Sequence, residues 1–117
     1  MLQINTMFRP YRLMLSRRAP VEMSLTIANT GKETAMVSFE ISCGRELSFE
    51  KGGFKAMQTE RIGEIPAGKK IERIFYIHGK PITRPGMYAI SIKTTEHYKE
   101  YGLVQKEHLK KAEIIVE

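Results

Sequence analysis

A period of two in the apolar residues limits what this chain can fold into more than any other feature. In "VEMSLTIAN", Val21, Met23, Leu25 and Ile27 alternate with Glu22, Ser24 and Thr26. Successive side chains of a strand point to opposite faces, so such a run buries one face and wets the other. The pattern returns in "MVSFEISC" with Val37, Phe39, Ile41 and Cys43, and in "MYAISIKT" with Tyr88, Ile90 and Ile92. It returns again in "AEIIVE" with Ile114 and Val116. "KIERIFYI" sets Ile71, Phe75 and Ile77 on one face, interrupted by Arg73, with Ile74 and Tyr76 on the other.

Turn chemistry separates these runs. "NTGKET", "KGGF", "IPAGKK" and "HGKPITRPG" carry the glycines that accept positive φ and the prolines that fix φ near −65°. With "RPYRLML" as a first strand and a short strand at "RELSF", about seven strands are expected. Short strands with regular turns indicate an all-β antiparallel sandwich or barrel. A length of 117 residues corresponds to one domain, spanning 1–117, with 1–14 as an N-terminal basic segment and first strand.

The stretch 94–111 is less regular. "TTEHYKEYGL" gathers two tyrosines, a histidine and two glutamates, and Gly102 weakens any helix there. A long connection or an extended hairpin arm between the last two strands is expected over 94–111, with a short amphipathic helix as the alternative. Connections of this length in a small domain tend to carry function.

Three segments in order, "VEMSLTIANTG" (21–31), "IGEIPAGKKIERIFYI" (62–77) and "RPGMYAISI" (84–92), resemble the prokaryotic immunoglobulin-like domains of the CARDB, or cell-adhesion-related, family. The shared features are an alternating strand ending in Asn-x-Gly, a "pG" turn before an apolar strand, and Gly-x-Tyr opening the next strand. The resemblance implies a seven-stranded immunoglobulin-like sandwich that binds or spaces, without catalytic residues. Asn29 and Gly31 would serve the turn after the first of these strands, and Gly68 and Gly86 are likewise expected in structural roles. Tyr88, after "RPG", stands where a tyrosine corner is expected: mostly buried, its hydroxyl bonded near 80–83.

Few residues suggest reaction chemistry. The acids are all Glu, which argues against EF-hand loops and Asp-based dyads. Cys43 is the one cysteine; it precludes an intrachain disulfide and reads as a small buried hydrophobe. His78, His97 and His108 lack the close spacing of a structural zinc site, although His97 and His108 would face each other across a hairpin, beside Glu96, Glu100 or Glu107. No nucleophile motif and no phosphate-binding glycine loop occurs. No enzyme activity, cofactor or metal is therefore expected.

The formal charge is +6. Arg9, Arg12, Arg17 and Arg18 precede the first acid, Glu22. With Phe8 and Tyr11 interleaved, this basic segment offers a surface for nucleic acid, or simply an edge strand guarded against pairing. A composition rich in Glu, Lys and Arg and poor in amides matches that of thermophilic proteins. No apolar run approaches the roughly 20 residues of a membrane-spanning helix or the ~7–15 of a signal-peptide core. A cytoplasmic location is expected for the chain as it stands, and an extracellular one if it is a module of a larger exported protein.

The functional expectation is a non-catalytic interaction module with a protein partner or a second copy of itself. Its contact residues would be His97, Tyr98, Tyr101 and Leu103. The alternatives are a carbohydrate- or metal-binding domain using the end loops, and a nucleic-acid-binding surface.

Overall fold

The alternating runs become two stacked sheets. The computed structural model describes residues 2–17, 19–52 and 55–117. The strands are β1 (Leu2–Arg9), β2 (Arg12–Leu13), β3 (Val21–Asn29), β4 (Ala35–Cys43), β5 (Leu47–Ser48), β6 (Met57–Ile65), β7 (Lys70–Gly79), β8 (Gly86–His97) and β9 (Val104–Val116). One sheet has the order β1-β3-β7-β5 and the other β2-β9-β8-β4-β6. The pairings are antiparallel, except that β2 runs parallel to β9 at Ile115 and Val116. The fold class is an all-β sandwich, as the periodicity implies.

Which segments supply the long strands differs from the expectation. "RPYRLML" contributes only the two-residue β2, and "RELSF" only the two-residue β5. The first long strand lies further upstream, as β1, and "MQTERIGEI" forms β6. The last strand begins earlier, at Val104, so that 94–111 takes the extended-hairpin form, one of the two expected for it, and not the alternative helix. Arg18 of the expected basic segment, and Gly53 and Phe54 of the "KGGF" turn, lie outside the described residues.

The core forms where the inward rows meet. Val21, Met23, Leu25 and Ile27 of β3 face Val37, Phe39 and Ile41 of β4 and Ile90 and Ile92 of β8, all fully or almost fully buried. Burying each such side chain contributes about 1.5–3 kcal/mol. Phe39 and Phe75 meet edge to face across the sheets, with ring centroids 5.8 Å apart.

Polar ties close the two open sides. On one, the Arg73 guanidinium, which points inward from β7, donates from Nε to Glu60 Oε2 of β6 at 2.7 Å. On the other, Lys110 of β9 reaches round to the Ile4 carbonyl of β1 at 2.7 Å. At one end Asn29 is buried; it donates to the carbonyls of Ile65 and Glu33 and accepts from the Gly31 amide. The turn that leads into β7 returns to the same residue: Gly68, at φ +77°, donates its amide to the Asn29 carbonyl. Glycine adopts that φ without steric cost.

At the other end the Tyr88 hydroxyl donates to the Arg84 carbonyl at 2.6 Å, one residue beyond the expected stretch. Tyr88 is half-buried rather than mostly buried. Gly86, just before it, opens β8.

Candidate functional site

The expected contact residues fall on one hairpin. β8 and β9 pair continuously from Gly86↔Val116 to Glu96↔Lys106, and the register then shifts so that His97 faces Val104. The turn is closed by Tyr98 N–H donating to the Leu103 carbonyl at 2.8 Å and Leu103 N–H donating to the Glu100 carbonyl. Lys99 holds a positive φ of 68° within it.

The structure splits the four expected contact residues into two groups. Tyr98, at 56% exposure, and Leu103, at 47%, stand in solvent at the tip. Val104 and Leu109, the latter 79% exposed, extend the apolar surface down β9. His97 is only 8% exposed, and Tyr101 is half-buried. Neither projects freely into solvent; both sit within the base of the turn. His97 lies opposite Met36 in the β4–β8 ladder, so its ring rests on the outer face of the sheet beside Ser38 and the Arg61 side chain of β6.

There His97 Nε2 and Ser38 Oγ share a hydrogen bond of 2.6 Å. The Tyr101 ring meets the imidazole edge-on at 5.0 Å, and the Arg61 guanidinium stacks 4.7 Å from the Tyr101 centroid. This Ser–His–Tyr–Arg niche fastens the turn to β4 and β6. Sequence reading missed Ser38 and Arg61, because their proximity to His97 depends on strand order and register. A serine–histidine contact invites a catalytic reading, yet His97 Nδ1 is buried with no hydrogen-bond partner. Among the described residues, no third group bonds Nδ1 to orient the imidazole as a base.

His97 and His108 do not converge. His108 pairs with Thr94 on the inner face, where its Nε2 meets Glu96 Oε2 at 2.7 Å. Among the described residues, no three His, Cys or Glu side chains are placed to hold a metal ion. Glu107 instead pairs with Lys93 on the outer face at 3.5 Å.

Other polar features lie away from the arm. At the opposite end of β8, a cleft of about 520 Å³ is lined by Leu13, Leu15, Ala19, Lys51, His78 and Lys80, among others. Desolvation, and then the charge of Lys51, hold the His78 pKa below its ordinary value. Cys43 is half-buried, with Sγ 3.5 Å from the Leu47 carbonyl, and burial pushes its pKa up to about 11. The N-terminal basic segment is not one continuous surface: Phe8 packs against the core and Arg12 forms an ion pair with Glu117, while Tyr11 is exposed.

No family model and no curated protein matches the chain. Solved structures do resemble it. The alkylpurine DNA glycosylase AlkC of Pseudomonas fluorescens, solved bound to DNA containing an abasic site analog, aligns at a TM-score of 0.56 and 17% identity. That alignment covers 98% of this chain but 30% of AlkC, so the chain spans less than a third of that protein. Self-complemented MyfA, the major subunit of Myf fimbriae from Yersinia enterocolitica, aligns at a TM-score of 0.54 and 12% identity, covering 97% of this chain and 98% of MyfA. At these identities the likeness concerns the fold alone, an all-β sandwich.

Proposed function

We propose that this chain is a non-catalytic interaction module of the immunoglobulin-like kind, which engages a protein partner through the β8–β9 hairpin arm. One observation carries the reading: Tyr98, Leu103, Val104 and Leu109 expose apolar surface together along that arm, on a turn held from behind by the His97–Ser38 niche. A turn backbone fastened in this way presents its aromatic and aliphatic side chains with less ordering left to be done on binding. The full-length likeness to a fimbrial subunit supports an assembling rather than a catalytic role. The resemblance to cell-adhesion-related domains points the same way.

The test is site-specific photo-crosslinking in cells of the source organism. Benzoylphenylalanine at Tyr98 or Leu109 is expected to give a discrete adduct that the exposed control Glu72, on the other sheet, does not give. Identical patterns at all three positions would remove the arm as the contact surface.

A second reading is phosphate-backbone binding at the opposite end. The cleft there carries Lys51, His78 and Lys80 in a chain of charge +6, and one structural neighbour was solved with DNA. Filter binding across a salt series decides it, since phosphate-driven affinity falls steeply with salt.

A further inference from the structure

The open edges of the two sheets are not equally protected. The β9 edge, covered by β2 only at Ile115 and Val116, points Lys106, His108 and Lys110 inward, opposite Glu96, Thr94 and Ile92. The β6 edge carries Glu60, Arg61 and Glu64, and a bulge breaks its register against β4 between Val37 and Ser38. Inward-pointing charges and bulges are the usual obstacles to pairing with another chain. The β1 edge has neither. From Leu2 to Phe8 it holds no charged residue and no proline, and its register against β3 is unbroken. The arginines expected to guard a first strand fall at its last residue, Arg9, or beyond it.

The backbone of β1 shows which groups are unpaired. In an antiparallel pair, alternate residues point both N–H and C=O toward the partner and the others point both away. The Asn29 amide and carbonyl bond the turn before β7, not β1, so Leu2, opposite Asn29, faces away from β3. Ile4, Thr6 and Phe8 follow by alternation. The Lys110 contact to the Ile4 carbonyl confirms the outward direction. That carbonyl has two lone pairs and can accept a second bond while Lys110 stays in place.

We infer that β1 is the interface of a two-fold homodimer, in which it pairs antiparallel with β1 of a second copy and joins the two four-stranded sheets into one. This deepens the reading of the chain as an interaction module and rests on it. The occupant is specified by self-complementarity. With the axis through Asn5, Leu2 lies opposite the second copy's Phe8, and Ile4 opposite its Thr6. These are the outward-facing residues, so every pair exchanges two hydrogen bonds. Phe8 and Ile4, half-buried in one copy and packed against the core, meet apolar or uncharged neighbours across the axis. No charge from Leu2 to Phe8 opposes another. The exposed Asn5 side chains face each other on the outer surface, where cross-strand neighbours come closest.

Sedimentation velocity of the full chain over a concentration series tests this. A concentration-dependent dimer is expected. Asn5→Lys, on the exposed face, places like charges across the axis and is expected to raise the dissociation constant about fivefold. Asn5→Glu is expected to do the same, and an equimolar mixture of the two to recover a heterodimer. Thr6→Pro removes only an outward N–H, leaves the β3 ladder whole, and is expected to weaken the dimer roughly thirtyfold through the two symmetric bonds lost. Circular dichroism confirms that each variant is folded. A wild-type chain that stays monomeric overturns the inference, as does a dimer indifferent to all three substitutions. Neither result touches cross-linking through the arm, so the two proposals fail separately.

Discussion

Asn29 of one sheet donates its side-chain amide to the Ile65 carbonyl of the other at 2.8 Å. The same side chain bonds Glu33 and Gly31, so a single buried residue ties the end of β3 to the start of the next connection and to the last residue of β6. Asn29→Ala would leave the buried Ile65 carbonyl, and the part-buried Glu33 carbonyl and Gly31 amide, without these partners. An unsatisfied buried group costs about 1–3 kcal/mol, so a loss of about 3 kcal/mol is expected in urea unfolding. A loss below about 1 kcal/mol would show that water replaces these bonds and that the clamp is unimportant.

Tyr88 makes a smaller contribution. Its hydroxyl bonds the Arg84 carbonyl from a half-buried position, where solvent competes. Tyr88→Phe keeps the ring and removes that bond, and a loss of about 1 kcal/mol is expected. Unchanged thermal and urea midpoints would reduce the tyrosine corner to a packing contact.

The strands whose inward rows are mostly apolar were legible in the sequence; those at the sides of the sandwich were less so. β3, β4 and β8 lie inside their sheets, and their alternation is nearly unbroken. β6 escaped notice because it is an edge strand whose inward row includes Glu60, held by Arg73 from the other sheet. The first half of β9 was hidden for the same reason: Lys106, His108 and Lys110 face inward where the sandwich is open at the side. Tyr98 and Leu103, named as contact residues from the sequence, stand in solvent, while Tyr101, expected to be exposed, is half-buried. His97 was not placed, because its burial depends on Ser38 and Arg61 arriving from two other strands.

The Ser38–His97 contact makes a test of that niche. Ser38→Ala leaves both imidazole nitrogens without a partner in a buried site and is expected to cost about 1–2 kcal/mol. Replacing both partners by apolar groups relieves the unpaired nitrogens, so Ser38→Ala/His97→Phe is expected to recover most of that loss. A double-mutant cycle in urea measures the coupling. Strict additivity would mean that the two residues do not act as a pair.

His78 gives the chain a pH dependence of known sign. Desolvation, and then Lys51, hold its folded-state pKa below 6.5. As pH falls, the unfolded chain takes up this proton first. Stability is therefore intact above the unfolded value and declines as pH drops from there through the folded pKa. Lys51→Gln removes the second cause, and the His78 titration followed by NMR is expected to move to higher pH. A midpoint that stays put would assign the whole shift to burial.

Cys43 is expected to be nearly inert while the chain is folded. Its Sγ lies against the Leu47 carbonyl, and burial raises its pKa from 9.0 to about 11. Only the thiolate attacks a disulfide reagent, and at pH 8 the thiolate fraction at such a pKa is about a hundredth of that of an unperturbed thiol. Ellman's reagent should therefore modify the native chain roughly a hundredfold more slowly than the urea-unfolded chain at the same pH. Raising the pH toward 10, below global unfolding, should accelerate the native reaction about tenfold per unit. Comparable rates in the two states would mean that the β4 end opens readily and exposes the thiol. A slow rate independent of pH would mean that access rather than ionisation protects it.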